Sequence, residues 1–145
     1  MIEVKNLSKT FRLKSGNVEA LKDVSLSIAD GTVYGVIGYS GAGKSTLVRC
    51  LNLLELPDQG TVTVGEYRDI QLKDGVPYYE GRVMSAKQQN QMRRGIGMIF
   101  QHFNLLERST VFDNVAYPLR YTGRSRSEID GRVRELLELV DLKDK

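Results

Sequence analysis

Cysteine is almost absent from this 145-residue sequence: Cys50 stands alone, so no intramolecular disulfide can form, as expected in a reducing compartment. Long apolar runs are absent too, and none approaches the roughly 20 residues a membrane-spanning helix needs. The N-terminus has no positively charged start followed by an apolar stretch, so no signal peptide is read there. If the protein works at a membrane, a partner must hold it there. Strong net charge is also missing, since 21 basic and 18 acidic residues leave only +3. A nucleic-acid binder more often concentrates a basic face, so charge gives no argument for nucleic acid as a partner. No internal repeat is present. What remains is 41% apolar and 27% charged, the composition of a soluble globular chain long enough for one domain with a core.

Residues 2–7 (IEVKNL) alternate, and residues 18–28 (VEALKDVSLSI) end in alternation; residues 14–17 form a glycine-containing turn between these two strands. Residues 32–37 (TVYGVI), after the Asp30-Gly31 turn signal, read as a short buried strand. A glycine-rich segment follows, then Leu47, Val48, Leu51 and Leu54 at helical spacing up to Pro57-Asp58. Residues 60–64 (GTVTV) read as a strand, and residues 95–100 (GIGMIF) as a second buried one. Between these two, residues 66–92 are polar and contain Gly75, Pro77 and Gly81. They read as a solvated loop with a short helix at 85–94, the alternative being a peripheral hairpin packed through Tyr67, Tyr78 and Tyr79. Beyond Gln101 the pattern turns helical. Thr110 and Asp113 have capping-box spacing, and Pro118 should kink or end the helix they begin. Ser125 and Glu128 form a second box ahead of an apolar stripe at Ile129, Val133, Leu136, Leu137 and Val140.

The sharpest pattern is G-x-x-x-x-G-K-[ST], met by Gly38, Gly43, Lys44 and Ser45 between an expected strand and an expected helix. Residues 38–46 are Gly38, Tyr39, Ser40, Gly41, Ala42, Gly43, Lys44, Ser45 and Thr46, and all nine are candidate ATP contacts. Glycines let the backbone wrap an anion and present its N–H groups. The helix N-terminus adds unsatisfied donors and the positive end of its dipole. Lys44 brings a mobile charge for the β- and γ-phosphates, and Ser45 a hydroxyl for Mg²⁺. The competing account is a chance glycine-rich turn with an exposed lysine. A phosphate loop of this kind belongs to a transporter-type ATPase, to a GTPase or kinase, or to a nucleotide-binding module without catalysis. The Asn/Thr-Lys-x-Asp motif by which a GTPase reads its base is absent. Strand-rich sequence ahead of the loop argues against a small-molecule kinase.

With residues 34–55 (YGVIGYSGAGKSTLVRCLNLLE), 93–106 (RRGIGMIFQHFNLL) and 110–119 (TVFDNVAYPL) in view, the sequence resembles the ATP-binding subunits of ABC transporters. Within them it is most similar to the bacterial methionine importer ATPases, over nearly the whole chain except 66–92. The runner-up within the class is an ABC ATPase for another solute or for lipoprotein release. The resemblance implies an α/β fold: a P-loop NTPase core with an N-terminal antiparallel β-subdomain (1–30), the core itself (31–101, insertion 66–92), and the Q-loop with the start of a helical subdomain (102–145). It implies ATP and Mg²⁺ as cofactors. Phe11 falls where the family stacks an aromatic on adenine, and Val18 would pack on the same base; both would otherwise be strand core. Gln101 falls where a glutamine touches Mg²⁺ and the attacking water, its amide able to donate and accept. Catalytic roles therefore go to Lys44 and Gln101, metal contacts to Ser45 and Gln101. Residues 102–114 match the region that receives the membrane permease. His102, the only histidine, is read there as a surface residue without a catalytic role. A second ATPase subunit is implied as dimer partner, an extracytoplasmic solute-binding protein as an indirect one, and the cytoplasmic face of the bacterial membrane as location.

The family's signature motif, Walker B aspartate with its glutamate, and switch histidine are expected beyond Lys145. Leu137 to Asp141 imitates an apolar strand ending in Asp, but its helical spacing rejects a Walker B reading. The polypeptide is therefore expected to bind nucleotide weakly without turnover, to expose apolar sheet surface, and so to be prone to self-association. Arg120, Arg124, Arg126, Arg132 and Arg134 interleave with Glu128, Asp130 and Glu135, as i,i+4 pairs on a solvated face do. Cys50 reads as a small buried hydrophobe.

Overall fold

A computed structural model describes residues 1–102 and 104–144. Phe103, which falls in the Gln101-to-Leu106 string and in the 102–114 segment, lies outside the described residues, as does Lys145. The chain divides into two compact units, Met1–Met98 and Ile99–Lys145.

The first unit is built on a six-stranded antiparallel sheet in the order β2-β1-β3-β4-β5-β6. Its long hairpin pairs β1 (Ile2–Leu13) with β2 (Gly16–Ile28), so both opening strands run further than their alternation suggests. Next come β3 (Gln59–Val64), β4 (Tyr67–Lys73), β5 (Val76–Tyr79) and the two-residue β6 (Arg82–Val83). The helices α1 (Lys44–Leu51) and α2 (Ala86–Arg94) complete the layer that covers the sheet. Val4, Leu7, Val62, Ile70 and Leu72 from the strands form one buried cluster with Leu47, Cys50, Leu53 and Met92 from the helical layer.

The loop reading of 66–92 is overturned, and the hairpin alternative holds. Asp74 and Gly75 take φ of 51° and 75°, Glu80 and Gly81 take 49° and 75°. Two successive positive-φ residues make the type I′ turn that suits the twist of a two-residue hairpin loop. Ile70 and Leu72 alternate inward, and the rings of Tyr67 and Tyr79 meet with centroids 5.5 Å apart. The short helix is α2, with Ser85 and Gln88 closing a full capping box.

Both expected buried strands, 32–37 and 95–100, are corrected. Neither forms a strand, and Val33, Ile37 and Ile99 are essentially fully exposed. A central strand exists only through ladders with its neighbours, and among the described residues no strand pairs with either run. Ile96 alone in the second run packs partly against the core. Helix α1 also stops short of Leu54, at a turn through Leu53 in the left-handed region.

In the second unit, α3 (Val111–Ala116) is capped by Thr110, whose hydroxyl accepts from the Asp113 N–H at 3.0 Å. As Pro118 requires, the α-helix gives way to a 3₁₀ turn over Tyr117–Tyr121. The Ser125–Glu128 box starts α4 (Arg126–Leu139), which buries Val133 and Leu137 against Ala116 and leaves Val140 exposed. Leu137 to Leu139 are therefore helical. Arg134 pairs with Asp130 at 2.9 Å and Arg132 with Glu135 at 2.7 Å, on the solvated face of α4.

Two expectations follow. At Gly60 (φ +112°) an added Cβ would lie 2.7 Å from Asn6 O and 2.8 Å from Leu7 Cα, both backbone atoms of β1. At Gly75 (φ +75°) nothing lies within 4 Å. Urea unfolding should show Gly60→Ala losing roughly 3 kcal/mol, from strain and clash together, and Gly75→Ala only about 1 kcal/mol, from backbone strain. Equal losses would show that the close approach of β1 and β3 is not a constraint. Burial, with Glu55 adding to it, pushes the Cys50 thiol up to about 12. The folded thiol stays neutral while an unfolded one ionises near its ordinary value, so stability from this group is intact below the unfolded pKa and falls between about 9 and 12. Thiol-reagent labelling at pH 8 should proceed only at the rate of opening.

Candidate phosphate-binding site

The glycine-rich segment becomes a loop because three of its positions are closed to most side chains. Gly38, Gly41 and Gly43 have φ of 156°, 82° and 84°. A turn between them is closed by Ala42 N–H donating to Tyr39 O at 3.1 Å. Gly43 is then the N-cap of α1, and no side chain caps the helix. Leu47 N–H to Gly43 O, at 2.8 Å, opens the helical ladder. The amides of Lys44, Ser45 and Thr46 precede that bond, in the turn that has no intrahelical acceptor. No acidic residue stands in this turn, so nothing within it opposes an anion at the positive end of the dipole.

Lys44 curls back over the loop, donating from Nζ to Gly38 O and Tyr39 O at 2.7 Å each. Its ammonium is thereby parked beside the cradle on two neutral acceptors, a pairing that phosphate oxygens can replace with charge-assisted bonds. Ser45 is exposed on the first turn and Thr46 half-buried beside it. Backbone donors, a lysine and a first-turn hydroxyl, with no carboxylate among them, suit a polyphosphate and its magnesium. Among the described residues no group of three or more His, Cys, Asp or Glu could hold a metal by itself.

The loop's seat is specific. An added Cβ on Gly43 would stand 2.3 Å from Ala20 O and 3.3 Å from the Leu21 side chain. The start of α1 therefore rests directly on the β2 backbone, and Leu47 and Leu21 are buried in the same cluster. Val18 lies two residues along β2 from that seat, about 7 Å at strand rise. Directly across the ladder from Val18 is Phe11. The two candidate base contacts are thus neighbours on the hairpin that carries the loop. Phe11 is half-buried and Val18 exposed.

Sequence reasoning missed the residue that steadies Phe11. Lys9 Nζ stands 5.2 Å from the Phe11 ring centroid, a cation–π distance. The same ammonium pairs with Glu55 at 2.8 Å and donates to Leu56 O at 2.7 Å. Thr10 N–H donates to Asp58 at 2.7 Å, so the segment leaving α1 is fastened onto β1 beside the ring. No periodicity or motif marks Lys9; only the sheet register brings it there. Gln101 and His102 belong to the second unit, where both are exposed.

The Gly43 contact gives a test. Calorimetry with tripolyphosphate should find Gly43→Ala binding at least about a hundredfold more weakly, because backbone must move to admit the methyl group. Gly41→Ala, with open space around it, should lose about tenfold or less, its cost being left-handed strain. Similar losses at both positions would remove the seat on Ala20 from the account.

Methionine import ATP-binding protein MetN 4 of Oceanobacillus iheyensis is 51% identical over 145 residues, all of this chain and 39% of that protein. The MetN of Vibrio vulnificus is likewise 51% identical over the same span, and this chain covers only 39% of its length as well. Among solved structures, the dimeric bacterial ABC transporter cassette MJ0796 superposes with a TM-score of 0.81 at 32% identity, covering 99% of this chain and 59% of that one. The same cassette in a post-hydrolysis state with ADP and Pi superposes with a TM-score of 0.79. The fold is accordingly that of an ABC ATPase cassette in its N-terminal part. Residues 21–145 match the ABC transporter family profile, and the chain belongs to that family.

Proposed function

We propose that this chain is the nucleotide-binding part of the ATPase subunit of an ABC importer, and that the importer takes up methionine. The observation that carries the nucleotide reading is the open, uncapped N-terminus of α1 with Lys44 parked at its mouth. Support for the solute comes from the 51% identity to MetN proteins. Substrate choice itself has no residue here to read it.

In this reading residues 1–30 open the antiparallel β-subdomain, 31–101 hold the phosphate-binding core with its insertion, and 102–145 hold the Q-loop and the start of the helical subdomain. Mg-ATP supplies the phosphoanhydride whose cleavage drives transport. The backbone amides of Gly41 and of Gly43 to Thr46 would hold the β- and γ-phosphates, and Lys44 would exchange its two carbonyl acceptors for phosphate oxygens. Ser45 offers its hydroxyl to the magnesium. Phe11 and Val18 take the adenine from the hairpin, with Lys9 holding the ring. By the family resemblance Gln101 would be a magnesium ligand, its neutral amide able to donate to and accept from a water without acting as a base. A second copy of the subunit completes the dimer, residues 102–114 receive the membrane permease at the cytoplasmic face, and an extracytoplasmic solute-binding protein acts through that permease.

The chain is a partial ABC ATPase domain, spanning 39% of the length of the MetN proteins it matches. The expectation is binding without turnover. Calorimetric titration with Mg-ATP should give a Kd that Lys44→Ala weakens by about a hundredfold, the loss of one charge-assisted contact pair, while phosphate release stays at background. Turnover above background that Lys44→Ala abolishes would overturn the second half of that expectation. Absence of binding in the unmutated chain would sink the phosphate-cradle reading.

A further inference from the structure

Helix α1 ends in a Schellman turn, with Leu53 N–H donating to Cys50 O at 3.2 Å and Leu54 N–H to Arg49 O at 3.0 Å. The position after the cap requires a left-handed residue, normally glycine or asparagine. Here it is Leu53, at φ +54° and 1% exposed. A branched side chain in that conformation persists only when its surroundings over-determine it. Those surroundings include one guanidinium. Arg93, near the end of α2, donates from Nε to Asn52 O at 3.1 Å and from Nη2 to Leu53 O. Its own helix steadies it: Nη1 donates to Asn90 Oδ1 at 3.1 Å and Nη2 to Gln89 Oε1 at 3.3 Å. The side chain of Asn52 is tied down as well, its Oδ1 accepting from Leu54 N–H at 3.1 Å.

We propose that Arg93 is a positioning residue for the nucleotide phosphates, acting from α2 through the exit of α1 on the amides at its entry. The inference rests on the nucleotide reading given above. α1 has eight residues, so the two ends are about 12 Å apart along a stiff rod. A tilt at the exit moves the entry by a comparable amount, and phosphate-binding donors must hold position within about 0.5 Å. The planar fork of arginine matters, because it serves two consecutive carbonyls at once while being held from behind. A positive charge at this end also complements the negative pole of the α1 dipole, whose other pole faces the phosphates. α2 is in turn the continuation of the β4–β5–β6 hairpins, so this clamp makes the 66–92 insertion the support of the phosphate-binding helix.

The test is Mg-ATP calorimetry on the unmutated chain, Arg93→Ala, Arg93→Lys and Gly81→Ala, each well below its own unfolding midpoint. Arg93→Ala should weaken binding about tenfold, as a sub-ångström misplacement of donors does, with Arg93→Lys in between. Gly81→Ala strains the β5–β6 turn at φ +75°, where an added Cβ meets nothing within 4 Å, and its Kd should match the unmutated chain. If Arg93→Ala binds as tightly as the unmutated chain, or if Gly81→Ala weakens binding equally, Arg93 has no positioning role. Should Arg93→Ala fail to fold, Arg93→Lys decides: a Kd within about twofold of the unmutated value overturns the proposal, a larger loss supports it. No binding by the unmutated chain removes the nucleotide reading itself, and this proposal with it.

Discussion

The contact between Gly43 and the carbonyl of Ala20 is the constraint on which the rest of the first unit turns. It leaves no room for a Cβ, so the chain can begin α1 only at a glycine and only against β2. Everything downstream inherits that placement. Leu47 and Cys50 face inward because the helix starts where it does, and their burial joins Leu21 to Val62 and Ile70 in one cluster. The amides of the first turn then point away from the core. Packing and the proposed anion binding share this contact: the apolar face of α1 is fixed to the sheet, and its N-terminus has no side-chain cap.

The far end of α1 shows the opposite economy. A glycine after the cap would adopt the left-handed turn freely; leucine does so at a cost of about 1–2 kcal/mol. The chain accepts that cost because Leu53 fills the core, at 1% exposure. Burial of a leucine side chain contributes about 1.5–3 kcal/mol, which is enough to decide the matter. From β1 Lys9 donates to Leu56 O, and from α2 Arg93 donates to Asn52 O and Leu53 O, satisfying carbonyls of the segment that leaves the helix. Two cations from separate elements thus converge on one exit, where the negative pole of the helix dipole favours them.

Legibility in the sequence follows how local each interaction is. The candidate phosphate loop is nine consecutive residues, so its motif is readable from spacing alone. Two caps were equally readable: Thr110 with Asp113 and Ser125 with Glu128 both close over three residues. The insertion reads as a loop because its polar character outweighs a real signal. Lys73-Asp74-Gly75-Val76 is a hairpin signature between alternating runs, and Pro77 obscured it. Residues 32–37 and 95–100 failed for a different reason. Their β-rich composition expresses what they would do beside neighbouring strands, and among the described residues no strand pairs with them. Composition records a preference; a strand requires a partner. Arg93 and Lys9 were invisible because nothing local distinguishes them from other surface cations.

The same gradient of locality orders the proposed chemistry. The phosphate cradle needs one turn, one helix start and one seat on β2, all inside a single unit. The base contact needs sheet register as well, since Phe11 meets Val18 only through the β1–β2 ladder and is steadied by a lysine that is itself anchored on the segment leaving α1. Gln101 needs more still, because it belongs to a separate compact unit. The cradle, by contrast, forms with its own helix. In the proposed function, binding of the phosphates and activation of water are therefore separable. The first is a consequence of local backbone geometry, and the second depends on interactions that no single segment encodes.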